Sequence, residues 1–211
     1  MKMYSTKQAA TKIGVSWITL QRHVTSGKTT VPPLQKVGGV TVRLWSERDN
    51  GLGHLLQAVL KSAPKLRGVL FDQPHVVERV GVDETIANRL VLQGGDFFRG
   101  PLPRCDAYVL MEVLHDWTDE QSRQILQQIR KAAPDKAKLL VVETVLPNES
   151  AWAEGHGEHF ANHLDINMLV LTGGRERTPD EFAKLFADCG WQLARVIPTP
   201  SPYSIVEAVA A

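Results

Sequence analysis

From Gly51 onward the chain alternates short apolar runs with longer amphipathic stretches. The runs Arg67–Phe71, Arg89–Gln93, Asp106–Met111, Lys138–Val142, Gln192–Ile197 and Ser204–Val209 have the length and composition of strands, and the stretches between them have helical spacing. Two capping boxes, Thr118-Asp-Glu-Gln121 and Thr178-Pro-Asp-Glu181, mark helix starts, the second with Pro179 in the first helical position. Strand and helix in repeated alternation predict an α/β fold with an open, largely parallel sheet. Before residue 50 the pattern differs. Tyr4–Ile13 and Trp17–Val24 read as two short helices around the turn Gly14-Val-Ser16, with Ala9, Ala10, Ile13, Val15, Ile18 and Val24 packing between them. After Pro32 and Pro33, Leu34–Trp45 reads as a hairpin turning at Gly38-Gly39.

Charge divides the chain at the same place. The 211 residues carry 24 Lys and Arg against 23 Asp and Glu, a formal net charge of +1. Residues 1–49 hold eight of the basic residues against Glu47 and Asp49 alone, so the remainder is net acidic. No apolar run approaches the roughly 20 residues that span a bilayer, and Met1–Lys12 has no apolar signal-peptide core, so a cytoplasmic protein without a membrane partner is expected. Cys105 and Cys189 are the only cysteines, too few for a disulfide framework or a cysteine-based zinc site. His156, Glu158, His159 and His163 are the one cluster with metal-ligand composition; in a glycine-containing connection they are read as a connection, and no metal is expected.

The helix pair and hairpin of residues 3–48 resemble a helix-turn-helix domain of the excisionase and MerR type. That resemblance implies a DNA partner, with Ser16, Thr19, Gln21 and Arg22 on the second helix as candidate contacts and Lys36 and Arg43 on phosphates. The alternative is a solvated charged face on a small helical hairpin.

In an open parallel sheet ligands bind beyond the carboxyl ends of the strands, and polar residues gather there. The first two strands are followed by Asp72 and by Gly94-Gly95-Asp96, the next two by Met111-Glu-Val-Leu-His115-Asp116 and by Glu143. Asp72 stands nineteen residues after Gly53 of the turn Gly51-Leu-Gly53, close to the spacing at which a carboxylate grips ribose hydroxyls past a glycine turn. It also reads as a capping residue before Pro74. Asp96 with Phe97 and Phe98 offers an acceptor beside an aromatic face, or two core phenylalanines.

The segments Phe71-Asp-Gln-Pro-His-Val-Val77, Gly94-Gly-Asp-Phe-Phe98, Leu114-His-Asp-Trp117, Leu140-Val-Val-Glu143, Leu164-Asp-Ile-Asn-Met168 and Gly173-Gly-Arg-Glu-Arg-Thr178, in this order, resemble the catalytic domain of S-adenosylmethionine-dependent O-methyltransferases of the caffeate, acetylserotonin and bacterial polyketide type. The resemblance implies S-adenosylmethionine as cofactor and a small phenolic or polyketide-like acceptor. It places Gly51 and Gly53 at the cofactor turn, Asp72 on the ribose, Asp96 and Phe97 about the adenine, and Met111 where the family carries lysine or a similar residue. His115 becomes the general base, Glu143 and Glu176 the carboxylates that flank and orient it, and Asp116, Asn167 and Met168 substrate contacts.

The chemistry agrees with those residue types. A methyl on a sulfonium sulfur is already activated, so the protein's task is in-line positioning and removal of the acceptor's proton. An imidazole of ordinary pKa near 6.5 is mostly neutral at pH 7 and accepts a proton from a phenol of pKa near 10.

Two departures shape the expected architecture. The family's first strand, of the type Val-Asp-Val-Gly-Gly-Gly, has no counterpart before Gly51, where Trp45–Asn50 stands instead, and the family's helical dimerisation domain has no counterpart either. The expected organisation is therefore a small winged helix-turn-helix domain at 1–49 and, at 50–211, a Rossmann-like methyltransferase sheet with helices on both faces, lacking its first strand. Homodimerisation would have to proceed without the usual domain. Two other functions stay open at this point: a DNA-binding regulator with a ligand-sensing second domain, and an inactive scaffold.

Overall fold

The computed structural model describes residues 36–37, 40–41, 53–148 and 160–211. The chain divides into two compact units, residues 1–95 and 96–211. The two predicted N-terminal helices lie outside the described residues. Of the predicted hairpin, β1 (Lys36–Val37) and β2 (Val40–Thr41) pair antiparallel, Val37 opposite Val40 across the two glycines.

In the first unit, α1 (His54–Ser62) leads to β3 (Gly68–Asp72), the short α2 (Pro74–Val77), a turn of 3₁₀ helix at Ala87–Arg89, and β4 (Leu90–Gly94). Gly53 caps α1 in the left-handed region at φ 71°, and a Cβ there would stand 2.7 Å from Leu70 Cδ2, so both backbone and packing demand glycine. Leu60, Ile86 and Leu90 form the buried centre, with Leu56, Leu70 and Val82 packed against it. The buried Gln57 satisfies the opposite loop, donating to the Gly81 carbonyl at 3.0 Å and accepting the Asp83 N–H at 3.1 Å. Strands β3 and β4 are parallel, with Asp72 opposite Gly94.

The second unit contains β5 (Ala107–Met111), a 3₁₀ turn at Leu114–Asp116, α3 (Asp119–Ala132), β6 (Lys138–Glu143), α4 (Phe160–Leu171), α5 (Pro179–Ala187), β7 (Trp191–Pro198) and β8 (Ser204–Ala210). Both predicted capping boxes form, closing the starts of α3 and α5. α3 buries Ser122, Ile125, Leu126 and Ile129, the spacing of one helical face. They meet Leu139 and Val141 of β6, Phe182, Leu185 and Phe186 of α5, Trp191 of β7, and Val206 and Ala208 of β8 in one core.

The strand order is β5-β6-β8-β7. β5 and β6 are parallel, as a strand–helix–strand unit requires. β8 runs antiparallel to both β6 and β7, which departs from the parallel sheet expected. The reason is the connection: only residues 199–203 separate β7 from β8, enough for a hairpin and too short for a crossover helix. Among the described residues β3 pairs only with β4, and β5 only with β6. On the outward face of the second sheet, Glu207 of β8 accepts from Lys138 of β6 at 2.8 Å and from Arg195 of β7 at 2.6 Å.

Period-two alternation along β6 sets up the site. Leu139, Val141 and Glu143 are all buried and lie on one face. The alternation that sends two aliphatic side chains into the core also carries a carboxylate inward at the strand's end.

Candidate active site

β5 ends at Met111, and the next residue, Glu112, takes a left-handed conformation at φ 53°, unusual for a side chain with a Cβ. Its N–H still donates to Val142 at 3.1 Å, and its carboxylate accepts from the Tyr203 hydroxyl at 2.8 Å. Left-handed Glu112 followed by right-handed Val113 turns successive backbone N–H groups toward one point, a concavity that suits an anion. Glu143 Oε1 occupies that point. It accepts from the N–H groups of Val113, Leu114 and His115 at 3.2, 2.6 and 3.2 Å.

The turn so held presents His115, only 6% exposed. Its Nδ1 lies 2.9 Å from Glu176 Oε1, and its Nε2 lies 3.8 Å from Asp116 Oδ1. A carboxylate only accepts, so the neutral ring carries its proton on Nδ1 and leaves the Nε2 lone pair available. Glu176 is itself buried, and its N–H donates to Asp165 of α4 at 2.8 Å. The approach of the two segments depends on Gly174, because a Cβ there would overlap the His115 carbonyl oxygen and the Asp116 backbone.

Burial pulls the imidazole pKa down. The Glu176 hydrogen bond and the charges of Glu143, Glu176 and Asp116 outweigh it and raise the ring to about 9. Burial raises Glu143 to about 7, and Asp116 and Glu112 also stand above the ordinary carboxylate range because they are buried. The carboxylates around the ring thus place it above the ordinary imidazole range that its residue type alone suggests.

Glu143 and Glu176 take different places beside the histidine. Glu176 touches the ring, whereas Glu143 touches only backbone N–H groups and the turn they define. Asp116 borders the ring, half-buried, and Met168 is half-buried on α4; the Asn167 side chain lies outside the described residues. In the second unit Phe97 packs edge-on against Phe98 and Trp117 at 4.9 and 6.1 Å between ring centres, so it is at least partly a core residue. The exposed Asp96 caps its own turn, accepting from Phe98 at 2.9 Å, and Met111 is exposed at the end of β5.

In the first unit Asp72 ends β3, half-buried, with a pKa raised by burial against the pull of the Gln73 N–H and His75. Its Oδ1 accepts from Gln73 at 2.6 Å. Gly94 and Gly95 stand beside it, where Cβ atoms would crowd Pro74 and the Phe71 ring. Gly51 lies outside the described residues, as do Ser16, Thr19, Gln21, Arg22 and Arg43 and the side chain of Lys36. The His156, Glu158 and His159 cluster and the His163 side chain also lie outside them.

Sequence reasoning passed over four residues that build this site: Glu112, Asp165, Gly174 and Arg177. Asp165, Gly174 and Arg177 stood inside motifs already singled out. Glu112 stood in the segment after the third strand, but nothing in its identity announces a positive φ.

A parallel pair joined by a helix, an antiparallel hairpin appended to it, and a carboxylate-bound histidine after a strand make an α/β fold with a buried polar site at a strand's carboxyl end. The sequence profile of the O-methyltransferase domain family matches residues 41–192, and the chain belongs to that family. It is 48% identical over 161 residues to a phenazine O-methyltransferase of Lysobacter antibioticus, covering 75% of this chain and 46% of the relative. Bovine (Bos taurus) acetylserotonin O-methyltransferase is 35% identical over 160 residues, covering 75% of this chain and 45% of its own length. The chain thus spans about half the length of the curated relatives it matches. Among solved structures, CalO1, a methyltransferase of calicheamicin biosynthesis in its SAH-bound form, superposes with a TM-score of 0.70 at 33% identity, over 92% of this chain and 55% of that one. The crystal structure of LaPhzM gives a TM-score of 0.68 at 46% identity, over 76% of this chain and 48% of that one.

Proposed function

We propose that this chain carries the catalytic residues of an S-adenosylmethionine-dependent O-methyltransferase that methylates a hydroxyl of a small aromatic or polyketide-like molecule, with His115 as general base. The observation that carries this reading is the buried His115–Glu176 pair, whose Nε2 is left to face a substrate proton. When bound, S-adenosylmethionine supplies a methyl group on a sulfonium sulfur, which departs as a neutral thioether. In the first unit the half-buried Asp72 carboxylate at the end of β3 suits ribose hydroxyls.

The protein's own contribution is the proton. Glu176 fixes the tautomer and stabilises the imidazolium that forms when Nε2 takes the hydroxyl proton. Because the ring's pKa is raised to about 9, it is a strong acceptor once empty and empties only as pH rises. Turnover should therefore climb through the mildly alkaline range. Asp116, beside Nε2, borders the space where the hydroxyl would sit.

The test is calorimetric titration with S-adenosylmethionine together with methyl-transfer assays using N-acetylserotonin and a hydroxyphenazine as probe acceptors. His115→Ala is expected to lower turnover by roughly a hundredfold or more with cofactor affinity unchanged. Equal loss of cofactor affinity would contradict the base role.

A further inference from the structure

Arg177 is 1% exposed, one of the largest wholly buried side chains in the protein. A buried guanidinium is costly unless each N–H finds an acceptor, and here all its nitrogens do. Nε and Nη2 both reach Asp119 Oδ1, at 3.1 and 2.9 Å. Nη1 donates to the Leu114 carbonyl at 3.0 Å and to the Arg175 carbonyl at 3.3 Å. Nη2 also donates to the Trp117 carbonyl at 3.1 Å and to Ser122 Oγ at 3.2 Å. Leu114 and Trp117 bracket His115 and Asp116; Arg175 immediately precedes Glu176. One planar group therefore grips the backbone on both sides of the histidine and the backbone next to its carboxylate partner.

We propose that Arg177 is a positioning residue for the His115–Glu176 pair, holding the turn that carries the imidazole and the segment that carries the carboxylate at a fixed separation. Neither segment is regular structure on the side that matters. The histidine sits in one turn of 3₁₀ helix, and Glu176 lies between Gly173-Gly174 and the start of α5. The pair's own hydrogen bond spans 61 residues of sequence and would have to order both loops unaided. Arg177 adds rigid cross-ties, and its own backbone is anchored to β6's exit, where its carbonyl accepts from Leu146 at 2.9 Å. Lysine has the charge but a single rotatable donor group, so it cannot make these bonds in one plane.

This role rests on His115 as the base, and it separates from a purely structural or purely electrostatic one by the sign of a single change. Removing a nearby positive charge raises the histidine pKa, whereas loosening Glu176 from Nδ1 lowers it. Arg177→Lys keeps the charge and loses the fork. The groups facing the ring, Glu112, Asp116, Glu143 and Glu176, are unchanged in that variant.

The experiment is an NMR titration of the His115 ring in the full chain, assigned with His115→Gln, beside thermal unfolding and the probe-acceptor assay. In folded Arg177→Lys the ring pKa is expected to fall by about 1, and kcat to fall about tenfold with KM within twofold. A folded Lys variant whose His115 titrates as in the wild type overturns the proposal. Should that variant fail to fold, Asp119→Glu, which keeps the charge at the exposed end of the fork and displaces its anchor point, carries the same readout, and an unmoved ring there overturns it equally. A shifted ring in a protein whose turnover survives His115→Ala supports the positioning of the pair and refutes the base reading instead.

Discussion

Nδ1 of His115 and Oε1 of Glu176 stand 2.9 Å apart, both residues out of solvent, in loops that follow and precede different elements. Replacing the carboxylate by its amide tests what its charge does. In Glu176→Gln the imidazole should fall from about 9 toward its ordinary 6.5. The acid limb of the kcat profile should follow it downward, with the plateau reduced by about tenfold as the imidazolium loses its counter-charge. A pH–rate series on the two proteins measures both.

Stability should decline on the alkaline side. The His115 pKa is raised from 6.5 to about 9, so its contribution is full below 6.5 and is lost as pH rises through 9. Glu143, raised from 4.5 to about 7, favours the folded state below 4.5 and loses that contribution as pH rises through 7. Urea unfolding between pH 4.5 and 9 should show wild type losing more stability across the upper half of that range than His115→Ala does.

Glu143→Ala would leave the Val113, Leu114 and His115 N–H groups without their acceptor. Each buried donor left unsatisfied costs about 1–3 kcal/mol, so a loss of at least ~3 kcal/mol is expected. Glu143→Gln keeps an oxygen at the same place and should lose markedly less. Denaturant midpoints of the two variants would rank them, and equal midpoints would remove the turn-holding role.

Gly174→Ala should be the most damaging small substitution in the site. The obstacle is the backbone of His115 and Asp116, which no rotamer change relieves. A loss of ~3 kcal/mol or more and at least tenfold lower turnover are expected, read by thermal unfolding and assay. Gly173→Ala next door meets no neighbour, although its φ of 78° still disfavours a side chain, so it should cost about 1 kcal/mol.

Thr118→Ala and Thr178→Ala each remove a capping box, worth about 1 kcal/mol of stability. Their effects on turnover should differ. Thr118 opens the helix whose first residue, Asp119, anchors Arg177, whereas Thr178 closes α5, where Glu181 pairs with Arg175. Circular dichroism melts should match while initial rates separate.

All six predicted strands from residue 67 onward form, each within one residue of its expected ends, because period and strand length are local properties. The capping boxes were legible for the same reason. What pattern could not supply was the ordering of strands and the meeting of loops. The reversal of β8 follows from a five-residue connection, a signal present in the sequence and outweighed there by the expectation of a parallel sheet. His115 and Glu176 stood out through motifs, but the choice of Glu143 for backbone N–H groups depends on Glu112 adopting φ 53°, which no residue type dictates. Arg177 was hidden differently. It lies between Glu176 and Thr178 in a polar run, and only the fold turns it inward.

The Lys138–Glu207–Arg195 cluster on the outward face of the sheet has a consequence far from its own charges. It ties β6, β8 and β7 together at the level where Glu207 stands opposite Leu140 and Arg195, with Glu143 opposite Ser204. A slip of β6 by a single residue would swing Glu143 to the wrong side of the sheet and strand the three N–H groups of the histidine turn. The ion cluster thus works as a gauge of alignment, and the reach of the carboxylate that holds the histidine turn is set by a lysine and an arginine on the other side of the wall.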